Sequence, residues 1–173
     1  MSHPPPDCPV HHSLQPFAKL IGEWEGQGSI SLYNSNTYPC YENISIGHIG
    51  QPSFWYSSRA YSREAFRHRD MGFIFFNEET DQMYFMCSHV HILAGRAKNE
   101  DGKIQIVLET ELTEGHPLPK KPKVIRVRRE ISLIDDDTLT QKVFMATEKK
   151  TDLALHSDIV YKRSPKLIGS RGL

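Results

Sequence analysis

The sequence has no excess charge of either sign: 21 Lys and Arg offset 21 Asp and Glu over 173 residues. Nucleic-acid and anionic-membrane binders need a basic field, so both partners are excluded on this ground. Cysteine is scarce. Cys8, Cys40 and Cys87 are odd in number, widely spaced and form no C-x-x-C. That excludes a secreted disulfide framework and a zinc ribbon, and points to a reducing compartment. No run of about 18 apolar residues occurs, and the start Met-Ser-His-Pro-Pro-Pro-Asp has neither a basic stretch nor an apolar core of a signal peptide. A soluble cytoplasmic protein is expected, with the nucleus as the alternative. No repeat and no second domain are visible, and the length suits one domain with a continuous core.

Residues 1–12, rich in Pro and His, read as a disordered lead-in, and 164–173 as a disordered tail. Leu14, Phe17, Ala18 and Ile21 recur at helical spacing after Ser13, which can cap the first turn. One short helix ending at Gly22 is predicted.

From Gly22 the period becomes two. Ile30 and Leu32, Ile44 and Ile46, Phe54 and Tyr56, Phe73 and Phe75, Met83 and Phe85 alternate with mostly polar neighbours. Ile104, Ile106 and Leu108, then Ile125, Val127, Ile131 and Leu133, continue the pattern. Turn clusters fall between them at Gly50-Gln51-Pro52, Asn77 to Asp81, Asn99 to Gly102 and Asp135 to Asp137. Eight or more short strands with almost no helix argue for a sandwich or an up-and-down barrel. In a barrel each strand turns one row inward, and Phe73, Phe75, Met83, Phe85 and Met145 are candidates for it. Such a lining suits either an apolar ligand or a filled core. Arg129 falls in the same apolar row as Ile131 and Leu133, so it needs a partner inside the barrel; Glu23 or Glu25 beside Trp24 is expected. The stretch Met145 to Arg163 holds a polar turn of about six residues and then His156 at the mouth of a strand. A neutral imidazole there is a candidate iron or zinc ligand.

Several separated segments resemble the nitrobindin family, which includes the heme-binding domain fused to THAP zinc fingers. Gly22-Glu23-Trp24-Glu25-Gly26-Gln27-Gly28 resembles its G-x-W-x-G-x-G opening. Ile46 to Pro52 resembles its SHxGxP hairpin, and His68 to Ile74 its HxExGFI segment. Arg129 to Leu133, Met145-Ala146-Thr147 and Leu153 to His156 resemble its closing pattern. The likeness runs over about residues 14–163, within an expected domain of 13–163.

The resemblance implies an all-β, ten-stranded antiparallel up-and-down barrel, lipocalin- and fatty-acid-binding-protein-like, with one short N-terminal helix. It implies heme b, with His156 as proximal ligand, metal-binding and catalytic residue. It also implies binding of nitric oxide and isomerisation of peroxynitrite to nitrate. Asn34 falls where the family has the threonine that approaches the heme, and His89 where a cavity glutamine is expected. His68 or His89 is expected on the open side of the iron, and Met145 among the heme-contacting residues. The same residues leave other readings. His91 faces solvent or lines the cavity with His89; His48 and His116 are structural or exposed; Cys87 is a small buried side chain. Asp158 could orient His156. The alternative function is a carrier of a small apolar ligand without catalysis; a non-heme metal site at His89-x-His91 is the third. A monomer and a homodimer are both compatible with the sequence.

Overall fold

In the computed structural model, residues 8–31, 36–62, 67–88, 91–111 and 122–165 are described. The alternating segments form β1 (Gly22–Ser31), β2 (Thr37–His48), β3 (Phe54–Tyr61), β4 (Arg67–Asn77) and β5 (Gln82–Cys87). β6 (His91–Glu100), β7 (Lys103–Glu111), β8 (Val124–Asp135), β9 (Thr138–Thr147) and β10 (Lys150–Arg163) follow. Each strand pairs antiparallel with its chain neighbour, and β1 also pairs with β10. The ten strands therefore close, which decides between sandwich and barrel and leaves no free sheet edge. The expected turns lie between strands. At Asp101-Gly102 both residues take positive φ, 53° and 81°, the geometry of a two-residue hairpin that matches strand twist.

The helix expected after His12 is a 3-10 helix, His12–Leu20. His11, not Ser13, is its N-cap, and the helix stops at Ile21, whose N–H donates to the Ala18 carbonyl at 3.1 Å. Leu14, Phe17 and Leu20 are buried and plug one end of the barrel, where Phe17 meets Phe76 edge-on. Val10, just ahead of the helix, packs against the same core. Each such side chain removed from water contributes about 1.5–3 kcal/mol.

The G-x-W-x-G opening has a packing cause at this end. Trp24 fills the barrel floor and donates from Nε1 to the Leu20 carbonyl at 3.0 Å. Arg163, from the end of β10, lies 4.1 Å over the indole and donates at 2.8 Å to both the Ile21 and Lys19 carbonyls. It thereby satisfies carbonyls that the helix end leaves without partners. Gly22 stands at φ 150°, and a Cβ there would meet the Arg163 Nη1 at 2.5 Å. A Cβ at Gly26 would overlap the Tyr161 ring. Both glycines keep room for large neighbours.

Two sequence expectations fail on strand phase. Phe73 and Phe75 point outward: Phe73 is 50 % exposed and Phe75 stacks on Tyr84, whereas Asp70 and Ile74 take the buried row. In Phe73-Ile74-Phe75-Phe76 both phases are apolar, so alternation cannot choose between them. In β8 the register shifts between Val124 and Arg126, which turns Val124 inward in place of Ile125.

Candidate functional site

The end opposite the helix collects the candidate residues, because the chain alternates direction at every strand. The last residues of β1, β3, β5, β7 and β9 and the first of β2, β4, β6, β8 and β10 all lie there. His68 is the second residue of β4, Cys87 closes β5, Met145 lies near the end of β9, and His156 lies in the first half of β10. Asn34, His89 and His116 fall outside the described residues, and His91 pairs through its backbone with Cys87.

His156 is not at a strand mouth. β9 runs to Thr147 and β10 starts at Lys150, so the turn between them is short and the histidine stands well inside a 14-residue strand. Leu155 aligns with Phe144, but Ser157 aligns with Val143. β10 thus carries one more residue than β9 between those pairs, and that residue is His156. Strict alternation would place it on the outer face with Asp158 and Val160; the bulge breaks the alternation at this position. Its half-buried state fits a side chain re-aimed by the bulge. Asp158 faces Lys142, with 3.6 Å between carboxylate and ammonium.

The inward rows are graded along the barrel. Near the helix Trp24, Phe54, Ile74, Met83, Ile104 and Leu133 are essentially inaccessible to solvent. At the other end members of the same rows, Ile30, Tyr38, His68, Met145 and Ala154, remain partly or largely exposed. The inward rows are packed from the helix to mid-height and less buried beyond it. Ile30, Val143 and Met145 make this less buried part apolar, with His156 beside them.

Mid-height is crossed by a buried polar belt. Arg129 Nη2 lies 3.6 Å from Asp70 Oδ2, and the guanidinium sits 4.4 Å from the Phe85 ring centre and 5.8 Å from that of Tyr56. Glu23 and Glu25 are not its partners: they bond Ser45 and Ser164 on the outer surface. Asp70 Oδ1 accepts from the Ser88 hydroxyl at 2.7 Å and from the Ser88 and Met71 N–H groups at 3.1 and 2.9 Å. The Tyr161 hydroxyl donates to Glu42 Oε2 at 2.6 Å and accepts from Gln141 Nε2 at 3.3 Å. Burial opposes the Arg129 cation, but Tyr56, Asp70, Cys87 and Glu42 outweigh it and raise its pKa. Burial, then Glu42, raises the Tyr56 and Tyr161 phenols, and the same two causes push the Cys40 thiol up to about 12. Arg129, Val143 and Ser157 align across β8, β9 and β10, so the belt lies at the depth of His156. Arg129 Nε and Nη1 are buried without a hydrogen-bond partner among the described residues.

Asp70, Glu42, Gln141 and Tyr161 were not singled out from the sequence. Glu42 could have been found by the signal that exposed Arg129, a charge in phase with an apolar row, here Cys40, Ile44 and Ile46. His48 is structural: its Nδ1 accepts from the Gly50 N–H at 3.3 Å. Among the described residues no three His, Cys, Asp or Glu side chains gather to hold a bare ion. The His156 imidazole beside the apolar Ile30, Val143 and Met145 instead suits a flat apolar macrocycle whose metal brings its other ligands with it.

The family model of the THAP4-like, heme-binding β-barrel domain matches residues 13–163. The chain is 25 % identical over 169 residues to the rat protein named peroxynitrite isomerase THAP4, covering 94 % of this chain and 29 % of that protein. The mouse counterpart is likewise 25 % identical over 171 residues, with the same shares. A peroxynitrite isomerase of Nocardia farcinica is 28 % identical over 76 residues, 43 % of this chain and 45 % of that one. The chain thus spans less than a third of the mammalian relatives. Among solved structures, Rv2717c of M. tuberculosis superposes with a TM-score of 0.79 at 19 % identity, covering 91 % of this chain and all of that one. The S-type phycobiliprotein lyase CPES of Guillardia theta gives 0.61 at 13 % identity, over 89 % and 94 %. These two likenesses concern the fold.

Proposed function

Because the chain belongs to the family of THAP4-like heme-binding β-barrel domains, we propose that it holds heme b through His156 and acts on peroxynitrite, converting it to nitrate, and on nitric oxide. The observation that supports this most is the β10 bulge, which sets the His156 imidazole apart from strand alternation at the less buried end of the barrel, beside Ile30, Val143 and Met145. When bound, the heme would supply a Lewis-acidic, redox-active iron.

The chain's own residues have separate tasks. His156 would supply the nitrogen that holds the iron. Ile30, Val143 and Met145 would shield the porphyrin from water, which also strengthens electrostatic contacts made inside. The buried Arg129 donors stand at this depth for a polar substituent of the ligand. His68, inward in phase and exposed at the rim opposite Ala60, and His89, outside the described residues, would act on the ligand bound to the iron. Asn34, outside the described residues, stands where the family has a threonine, and its amide would still donate there.

Addition of hemin followed by desalting tests the reading. A Soret band that survives in the wild type and is lost in His156→Ala supports it; equal heme in both proteins overturns the axial assignment. The less buried, apolar end would equally serve a carrier of a small apolar ligand. Uptake of a fluorescent fatty acid without any retention of hemin would decide for that second reading.

A further inference from the structure

Beside the less buried end of the barrel, β2 and β3 carry two tyrosines in direct cross-strand register on the outer surface, Tyr41 and Tyr61. Their rings stack, with 5.6 Å between centroids and 22° between planes, and they remain 38 and 45 % exposed. Side chains directly opposed on two strands start from β-carbons about 4.5–5.5 Å apart, so the backbone itself holds the rings side by side. Neither hydroxyl bonds another described residue. The other described tyrosines lack such a neighbour. Tyr56 and Tyr161 are buried, Tyr84 stacks on Phe75 and donates to Gln82, and Tyr38 aligns with Ile30 and accepts from Asn36. Arg59 and Arg69 face each other on the same surface as Tyr61, exposed and without an ion pair among the described residues. Opposed like charges cost stability, and here they give the surface a positive field that gathers anions.

We propose that Tyr41 and Tyr61 form an oxidative modification site, at which a one-electron oxidant such as nitrogen dioxide couples the two rings into dityrosine. Each phenol gives one electron to a nitrogen dioxide molecule and its proton to water, so two nitrite ions form. The two phenoxyl radicals join through ring carbons ortho to the oxygens, making one carbon–carbon bond. The hydrogens on those two carbons then transfer to the oxygens and restore both phenols. In all, the chain loses two electrons and two protons. A radical on a solitary tyrosine must wait for a second nitrogen dioxide and becomes nitrated, whereas here the register of β2 and β3 keeps the partner ring alongside. The new bond staples β2 to β3 at the rim and restricts the unfolded chain, as any link that closes a loop does.

Oxidation of the full chain without hemin tests the proposal independently of iron ligation by His156. Peroxynitrite in bicarbonate buffer serves as the source of nitrogen dioxide and of the carbonate radical anion. Mass mapping should find the Tyr41 and Tyr61 peptides joined and lighter by two hydrogens, in protein that keeps the 19.9 kDa chain mass under denaturing conditions. Tyr41→Phe and Tyr61→Phe, both at exposed positions and with unchanged circular dichroism, should each lose the joined peptide and show more nitration of the tyrosine that remains. Oxidation in urea, where the strand register is gone, should lose it as well. Nitration of both tyrosines in the folded wild type without coupling overturns the proposal. So does a joined peptide that forms equally in urea, or one found only in chains linked at twice the chain mass.

Discussion

Arg129 and Asp70 meet inside the barrel, 3.6 Å apart at Nη2 and Oδ2, although 58 residues lie between them in the chain and three strands separate β4 from β8 on one route around the sheet and five on the other. The pair is held by contacts on both sides, aromatic rings around the cation and three donors on the anion.

Removal of one member leaves the other charge buried. Asp70→Ala or Arg129→Ala should therefore cost about 3–5 kcal/mol, read from urea unfolding. Arg129→Met combined with Asp70→Leu should cost less than either single loss. A cost below about 1 kcal/mol for Asp70→Ala, the range of exposed ion pairs, would show that the two do not depend on each other.

The Tyr161–Glu42 bond predicts a smaller effect. Tyr161→Phe keeps the ring that packs under Gly26 but leaves the Glu42 carboxylate without its donor, at a cost of about 1–3 kcal/mol. Glu42→Gln should retain more of the stability than Glu42→Leu, since only the amide can still accept from the phenol.

Stability should fall at alkaline pH. The Tyr56 and Tyr161 phenols are raised in the folded state by burial and by Glu42. The folded chain therefore keeps these protons above the ordinary tyrosine pKa of about 10, where the unfolded chain loses them. Stability from this source is whole below that pH and declines as pH rises beyond it. Ultraviolet difference absorbance should show these two tyrosines ionising only together with loss of circular dichroism; ionisation ahead of unfolding would contradict the burial.

Thiol reagents should separate the cysteines. Cys40, buried and with its thiol pushed up to about 12, should stay unmodified in the folded chain at mildly alkaline pH, whereas partly exposed Cys8 reacts. Mass mapping of labelled peptides gives the answer, and labelling of Cys40 without denaturant would refute it.

Much of the architecture was written in local pattern. Asn99-Glu100-Asp101-Gly102 and Asp135-Asp136-Asp137 announced turns, and single-phase strands such as β7, with Ile104, Ile106 and Leu108, announced their buried face. β4 did not, because Phe73 to Phe76 is apolar in both phases. The bulge at His156 had no local signature either, since an inserted residue shows only against the register of β9. Arg129 was recognisable as an inward charge, but its partner was not. Nothing in the chain near Arg129 distinguishes Asp70 from Glu23, and only the order of strands brings one of them into the interior. Grouping His68, Met145 and His156 at one rim likewise required the topology.

The seam between β1 and β10 joins the two ends of this domain, with Trp24 aligned to Arg163 and Ile30 to Ser157. During synthesis every hairpin from β2 to β9 can assemble as it emerges, yet the cylinder stays split until residues 150–163 leave the ribosome. Until that final stitch the belt of charges remains wetted and the floor around Trp24 unsealed, so the domain gains its interior in one late, long-range step that sets its folding rate.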